Sequence, residues 1–144
     1  MVETIELEIV TPDKLVVKVA AEEIQIPGKN GYLGVLPGHA PLITELAVGE
    51  ISYRRGDDTT HISVAWGFAE VLPDKVTILA ETAERADEID IPRAQAALDR
   101  ANQRLNAGGE IDYNRALAAQ RRAESRLDVA KKSGVAGQAG SDPQ

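Results

Sequence analysis

The fold class is decided by a change of hydrophobic period within residues 75–105, which read KVTILAETAERADEIDIPRAQAALDRANQRL. The first residues of this stretch form a short apolar run of the kind found in half-buried strands. From residue 89 onward the apolar positions step by three and four, which is typical of one face of a helix. The sequence therefore predicts strands up to about residue 87 and helices after it.

Short apolar runs separated by turn signals fill the chain before this point. In the first run Ile5, Leu7 and Ile9 alternate with acidic residues, which predicts one buried and one exposed face. The predicted strands span residues 3–10, 15–19, 22–26, 32–36, 42–46, 50–54, 59–65, 68–72 and 75–80. Many short strands at this spacing favour an antiparallel sandwich or barrel over a parallel βαβ sheet.

Two helices are predicted after residue 88. The first has an apolar stripe and ends at the glycines of residues 106–109; the second runs from about residue 111 to 132. The stripes consist of Ile91, Ala94, Leu98, Ala101 and Leu105, and of Tyr113, Ala116, Gln120, Ala123, Leu127 and Ala130. So short a connection makes an antiparallel two-helix hairpin. Residues 133–144 are rich in glycine, alanine and serine, and we expect them to be disordered.

The predicted hairpin has little apolar surface. Residues 89–132 contain ten alanines and no Phe, Trp or Met. Alanine removes much less area from water than leucine, so the helices gain little from packing. We therefore expect the hairpin to be held marginally and to be able to detach from the strands.

Composition excludes several kinds of site and compartment. The 144 residues include no cysteine, so there is no disulfide, thiolate metal site or cysteine nucleophile. A net charge of −7 argues against nucleic-acid binding. The charge is uneven, with 7 basic and 16 acidic residues in 1–88 but 9 and 7 in 89–144. With an acidic N-terminus and no long apolar stretch, we expect a soluble intracellular protein.

The sequence contains no pattern typical of an enzyme active site. The two histidines, His39 and His61, stand in no catalytic pattern, and no phosphate-binding loop or nucleophile motif is present. We expect no catalytic residue and no metal site.

Arginines form a stripe on each predicted helix. The first stripe is Arg93, Arg100 and Arg104, and the second is Arg115, Arg122 and Arg126. Four of these six, Arg100, Arg104, Arg122 and Arg126, have no acidic residue three or four positions away, and they form like-charge pairs at i,i+4. A solvated surface is one interpretation. The other is an anion-binding site, for a phosphate group or for an acidic protein surface.

Residues 31–42, GYLGVLPGHAPL, closely resemble the signature loop of the epsilon subunits of F-type ATP synthases. WGFAEV at 66–71 and VTILAETAER at 76–85 are similar to the end of that family's β-sandwich. One departure is Trp66, where many members have a glycine. The resemblance implies a β-sandwich over residues 1–87 and a regulatory hairpin over residues 88–132.

The resemblance also implies a role and a location. Such subunits are non-catalytic parts of the central stalk, peripheral to the membrane on the cytoplasmic face of the bacterial cell. They bind the gamma subunit and the c-subunit ring, and they couple proton transport to ATP synthesis. The extended hairpin reaches the alpha/beta catalytic head and inhibits ATP hydrolysis. By similarity the partner-binding residues are Tyr32, Leu33, His39 and Leu42, and the inhibitory contacts are Arg104, Arg115, Arg122 and Arg126.

Residues 89–94, IDIPRA, are similar to an ATP-binding motif found in some bacterial members of this family. Asp90 also suits the N-cap of the first helix, and Pro92 suits its first turn. The resemblance implies a nucleotide site made of Glu84, Ile89, Asp90, Arg93, Ala94, Arg100, Arg122 and Arg126. ATP would be a regulatory ligand that favours the folded hairpin, and no cofactor would be required. The alternative is a free-standing nucleotide- or anion-binding module.

Overall fold

The computed structural model describes residues 3–107 and 112–141, with side chains described up to residue 132. Eight strands precede a 3₁₀ turn and two helices in this part of the chain. The strands are β1 (Ile5–Val10), β2 (Leu15–Ala21), β3 (Glu23–Gly28), β4 (Gly31–Val35), β5 (Leu42–Leu46), β6 (Gly49–Arg55), β7 (Asp58–Val71) and β8 (Lys75–Arg85). The turn spans Ala86–Glu88, and the helices are α1 (Ile91–Ala107) and α2 (Tyr113–Ser141). The predicted fold class and element order are confirmed.

The strands pair in the order β2-β1-β8-β7-β5-β3-β4, and β6 pairs with both β3 and β7. The described pairs are antiparallel, except that β1 runs parallel to β8. The predicted sandwich is confirmed, but the parallel pair was not foreseen. Pairing between strands so distant in sequence depends on tertiary packing, which a single strand's pattern does not encode.

Strand β7 passes from one layer of the sandwich to the other. It pairs with β6 up to Val64 and with β5 from Gly67 onward. Trp66 (φ 52°) and Gly67 (φ 124°) form the bend between the two stretches. A Cβ on Gly67 would lie 1.9 Å from the carbonyl oxygen of Leu79, so no side chain fits there. The prediction of two strands, 59–65 and 68–72, is wrong because this bend continues the pairing with β8 instead of ending it.

Aliphatic side chains fill the space between the layers. On β1 the predicted face of Ile5, Leu7 and Ile9 is fully buried, and the intervening residues are partly exposed. Ile26 and Ile78 pack into the same core from β3 and β8. The sandwich is therefore stabilised mainly by burial of branched aliphatic residues.

Strand β8 extends five residues beyond the predicted end at Ala80, to Arg85. The predicted domain boundary, between residues 87 and 88, falls inside the following 3₁₀ turn, and the division into two domains stays a prediction. Glu88 closes this turn: its Oε1 accepts from the Arg85 backbone N–H at 3.1 Å, and its Oε2 lies 2.6 Å from Lys14 Nζ. The Lys14 ammonium, together with the backbone N–H, holds the pKa of Glu88 below its usual range.

Each helix begins at an aspartate cap. Asp90 Oδ1 accepts from the Arg93 N–H and Asp112 Oδ1 from the Arg115 N–H, both at 3.1 Å. The cap predicted at Asp90 is therefore confirmed. The glycines predicted to end the first helix, at residues 108 and 109, lie outside the described residues.

Helix α2 continues to Ser141, whereas the sequence predicts disorder after residue 132. Once a helix is nucleated, each further residue adds a hydrogen bond at little cost, and the next proline in the chain is Pro143. The backbone of residues 133–141 thus differs from the predicted tail. The rest of that tail, residues 142–144, lies outside the described residues.

The two helices meet along a line of small side chains. The buried residues on this line are Ala94 and Ala101 on α1 and Ala116 and Ala123 on α2, as predicted. Ile91 and Tyr113, predicted in the same stripes, are instead 52% and 59% exposed. The alanines allow the helices to pack closely along a narrow line. The larger side chains of Ile91 and Tyr113 lie at the ends of this line and remain exposed to solvent.

Helix α2 carries most of the contact between hairpin and sandwich, through β6, β7 and the 3₁₀ turn. Val129 is fully buried in a small second cluster with Ile89 and Ala94. Nearby, the Ser125 hydroxyl donates to the Gly49 carbonyl at 2.8 Å and lies 3.1 Å from the hydroxyl of the buried Ser63. The attachment is therefore small and partly polar.

Lys132 adds an ion pair to this attachment. Its ammonium contacts Glu50 Oε1, which is also 3.2 Å from His61 Nδ1. His61 is half-buried beside this pair. Neither helix has the length and apolarity of a membrane span in the part that the structure describes.

Ser125→Ala is expected to loosen the hairpin without destabilising the sandwich. It leaves the Ser63 hydroxyl buried without its partner, at a cost of about 1–3 kcal/mol. Hydrogen exchange of α1 and α2 amides should accelerate by roughly tenfold for each 1.4 kcal/mol, while β1 amides keep their protection. Thr77→Ala, which deletes a β8 hydroxyl outside this contact, serves as control. In the unaltered protein the helices should already exchange faster than the strands. Equal protection of helices and strands, or unchanged exchange in Ser125→Ala, would contradict the marginal attachment.

Candidate functional site

A cleft of about 490 Å³ opens between α1, α2 and the end of β8. Its lining contains six arginines, Arg93, Arg100, Arg104, Arg115, Arg122 and Arg126. The remaining lining residues are Thr82, Glu84 and four alanines. The two arginine stripes predicted from the sequence therefore meet in one cleft.

Helix geometry explains this arrangement. Each stripe recurs at offsets of seven and four, so its members share a helix face. Gln120 Nε2 donates to Asn102 Oδ1 at 2.8 Å, which fixes the antiparallel register of the helices. In this register Arg100 lies level with Arg122. The pairs Arg104/Arg115 and Arg93/Arg126 are each offset by three residues, about 4.5 Å along the helices.

Arg126 has a carboxylate partner that lies far away in the sequence. Its Nη2 donates to Glu84 Oε2 at 3.2 Å, and its Nε lies 2.6 Å from Glu84 Oε1. The Nε is buried without a well-aligned hydrogen bond, so only the Nη2 contact has good hydrogen-bond geometry. Arg126 has no acidic residue within one helical turn, and the tertiary structure supplies its partner because the extended β8 brings Glu84 under α2.

Arg122 lies over an aromatic ring. Its guanidinium carbon is 5.0 Å from the centroid of the Trp66 ring, within the range of a cation–π interaction. Trp66 has a left-handed backbone, which costs a residue with a side chain about 1–2 kcal/mol. The cation–π contact contributes about 0.5–2 kcal/mol, so it offsets a comparable part of that strain. Through its contact with Arg122, Trp66 thus connects the bend of β7 to the α2 side of the cleft.

The other five cleft arginines have no acidic partner in the part of the chain that the structure describes. Among residues 3–107 and 112–132, no ion pair involves Arg93, Arg100, Arg104, Arg115 or Arg122. The lining holds six guanidinium groups against one carboxylate, which leaves an excess of five positive charges. Guanidinium groups bind phosphate and carboxylate oxygens in bidentate fashion. The cleft can therefore bind a polyanion, and its groups suit binding rather than proton transfer or nucleophilic attack.

In contrast to the charged cleft, one side of the sandwich exposes apolar side chains. Phe68 and Leu79 face each other across β7 and β8 and are 54% and 56% exposed. Ile43 on the adjacent strand β5 is 70% exposed. We call these three residues the apolar stripe. Contiguous exposed apolar surface commonly marks a protein interface.

Sequence reasoning missed this surface, although one signal was present. Leu79 follows Ile78 directly, so apolar residues occupy both faces of β8 at this point. In a strand with only one buried face, alternation would place a polar residue at one of the two positions. The second apolar face predicts a second contact.

Comparison with known proteins identifies the family. The family model described as "ATP synthase, Delta/Epsilon chain, beta-sandwich domain" matches residues 4–86. The ATP synthase epsilon chain of Koribacter versatilis is 70% identical over 109 residues, which cover 76% of this chain and 77% of that one. The chain belongs to the epsilon-subunit family of F-type ATP synthases. The epsilon chain of Solibacter usitatus is 52% identical over 103 residues, covering 72% of this chain and 77% of that one. The resemblance found in residues 31–42 is confirmed.

Solved structures support the fold of this epsilon family member. A chain of the Euglena gracilis mitochondrial ATP synthase superposes with a TM-score of 0.66 at 24% identity, covering 93% of this chain and 81% of that one. A chain of the Tetrahymena thermophila mitochondrial ATP synthase central stalk and c-ring gives 0.52 at 14% identity, with 90% and 95% covered. At such low identity the likeness extends to the fold alone.

The predicted nucleotide residues of this epsilon family member fall into two groups. Glu84, Arg93, Arg100, Arg122 and Arg126 line the cleft, together with Arg104 and Arg115 from the predicted inhibitory contacts. Ile89 and Ala94 are buried against Val129, and Asp90 caps α1. The motif at 89–94 therefore anchors and starts the helix, and its arginine alone reaches the cleft. Within the described chain no cluster of His, Cys, Asp or Glu is suited to a metal ion.

The predicted partner-binding residues lie on β4, on the loop after it and at the start of β5. Tyr32 is 60% exposed, but its hydroxyl accepts from the Glu50 N–H at 3.1 Å. Leu33 packs against the sandwich core. His39 is half-buried with its Nδ1 2.6 Å from the Ala40 carbonyl, and Leu42 is 38% exposed. Tyr32 and Leu42 are thus available to a partner, whereas Leu33 serves the local core.

Proposed function

We propose that this chain acts as a non-catalytic central-stalk subunit that couples proton translocation to ATP synthesis. We also propose that its helical hairpin inhibits ATP hydrolysis when extended and is latched by ATP when folded. Membership of the epsilon family supports the stalk role. The partners would be the gamma subunit, the c-subunit ring and the alpha/beta catalytic head. The subunit would sit peripherally at the cytoplasmic face of the membrane.

The six-arginine cleft is the observation that carries the ATP latch. Each helix supplies three arginines, so the cleft exists only while the hairpin is folded. Their mutual repulsion opposes folding, and the alanine contact offers little apolar area to offset it. A polyanion bound between the helices removes that repulsion. A ligand with higher affinity for the folded state shifts the population toward it by that difference in affinity.

Inhibition of ATP hydrolysis would use the same arginines in the extended conformation of the hairpin. An extended hairpin exposes both stripes, which then suit acidic segments of the catalytic head. Arg104 and Arg115 lie near the connection between the helices, at the end of α1 and the start of α2. ATP in the cleft and contact with the head would therefore exclude each other.

ATP is expected to bind the full-length chain saturably in calorimetric titration. Arg100→Ala removes a charge-assisted contact from the middle of the cleft and should raise the Kd by roughly tenfold or more. Arg121→Ala is the matched control, because Arg121 is the adjacent arginine of α2 and does not line the cleft. Saturable binding that Arg100→Ala leaves unchanged would move the site elsewhere. Failure of ATP to bind at millimolar concentration would refute the latch.

The inhibitory contact is tested in the reconstituted enzyme. At ATP concentrations too low to fill the cleft, the Arg104→Glu/Arg115→Glu double variant should hydrolyse ATP several times faster than the unaltered complex. The physical reason is repulsion between the new carboxylates and the acidic head. Arg121→Glu, which reverses a charge on α2 outside the cleft, should behave like the unaltered subunit. Equal hydrolysis rates for all three complexes would contradict inhibition through these arginines.

The gamma subunit is proposed to cover the apolar stripe. An apolar side chain at the centre of an interface contributes about 2 kcal/mol or more when truncated, so Leu79→Ala should weaken gamma binding by roughly tenfold or more. Ile91→Ala removes a similarly exposed apolar side chain on α1 and should have no effect. Surface plasmon resonance with immobilised gamma subunit measures both. Unchanged affinity in Leu79→Ala would place the interface on another surface.

The alternative, a free-standing anion-binding module, is less well supported. Such a module would need the cleft alone and would leave the apolar stripe without a role. A protein partner would bury that stripe, and a subunit role is the one that membership of the epsilon family supports.

A further inference from the structure

The bend of β7 contains a residue that its own backbone does not favour. Trp66 has a φ of 52°, in the left-handed region, where glycine is unstrained and a residue with a Cβ is strained. At the neighbouring Gly67 the Leu79 carbonyl leaves no room for a side chain. The geometry of the bend therefore explains the glycine at 67, whereas the tryptophan at 66 makes the same bend less stable.

The sandwich offers the Trp66 ring little that would compensate for this strain. The side chain is half-buried and lies outside the aliphatic core cluster. It lines a cavity of about 440 Å³, together with residues 46–48 and with Leu117 and Ala118 of α2. A side chain beside an open cavity loses part of its van der Waals contact, so packing alone does not hold the ring in place.

A specific contact to the ring comes from the hairpin. The guanidinium carbon of Arg122 on α2 is 5.0 Å from the ring centroid. In the described part of the chain no carboxylate pairs with Arg122, so its charge is available to the ring. Because the ring belongs to β7 and the cation to α2, the contact exists only while α2 lies against the sandwich.

From these observations we infer that Trp66 is a docking residue for the hairpin and holds α2 on the sandwich through Arg122. The strain at residue 66 is present whether or not the hairpin is docked, but the contact that offsets it forms only in the docked position. The contact therefore adds to the free energy that detachment must overcome. This holds in the absence of any ligand and does not depend on the proposed ATP latch.

The test is a double-mutant cycle of Trp66→Asn and Arg122→Met on the full-length chain without nucleotide. Asparagine tolerates the left-handed region better than most residues and has no aromatic ring. In the chain with Arg122, Trp66→Asn should accelerate amide exchange of α1 and α2 by roughly three- to thirtyfold, as loss of a cation–π contact predicts. In the Arg122→Met chain the same substitution should change exchange by less than about twofold, because the cation is already absent.

The cycle also removes a complication. Arg122→Met lowers the repulsion among the cleft arginines, but this effect is common to both chains that contain it and cancels from the comparison.

Two further variants separate the ring from the backbone. Trp66→Phe keeps an aromatic face for the cation, so its helices should exchange more slowly than those of Trp66→Asn. Trp66→Gly removes the backbone strain as well as the ring. It should loosen the hairpin as Trp66→Asn does, while the β1 amides keep their protection.

Two outcomes would overturn the inference. The first is equal helix exchange rates with and without the tryptophan, or equal acceleration in the Arg122 and Arg122→Met chains, because the ring would then act without the cation. The second is loss of β1 protection in step with the helices in both Trp66→Asn and Trp66→Gly, because Trp66 would then serve the sandwich alone. Failure of ATP to bind would refute the latch and leave this result unchanged.

Discussion

The close approach of α1 and α2 along their alanines is the contact on which the rest of the hairpin depends. Ala94, Ala101, Ala116 and Ala123 are small enough to bring the helix axes together, and they bury little area in doing so. The same approach forces two rows of arginines into one cleft. The small free energy gained from apolar burial and the repulsion between like charges therefore oppose each other in the same contact. An anion that neutralises the arginines favours the folded hairpin.

The sandwich is built on the opposite principle. Its core is filled by branched aliphatic side chains from nearly every strand, and its bend at Gly67 tolerates no side chain. Such a body changes shape little, whereas the hairpin is attached through Val129, Ser125 and Lys132 on α2. One rigid unit and one weakly attached unit suit the proposed role, in which the sandwich stays fixed to the stalk while the hairpin changes position.

Trp66 and Glu84 link the two units. Both belong to strands of the sandwich, yet they contact Arg122 and Arg126 on α2. A movement of Arg122 or Arg126 in the cleft therefore alters contacts at the bend of β7 and at the end of β8. The strained backbone of Trp66 is held in place partly by the cation above it.

Local patterns in the sequence determined the strand and helix classes, the Asp90 cap, the alanine contact and both arginine stripes, because each depends on residues within a few positions of one another. The tertiary structure alone decided the parallel pairing of β1 with β8, the continuous β7, and the partner of Arg126. It also decided that the two stripes face each other, and that Ile89 and Ala94 are buried instead of lining the cleft. These features join residues far apart in the chain, and their geometry is set by packing that no short stretch of sequence contains.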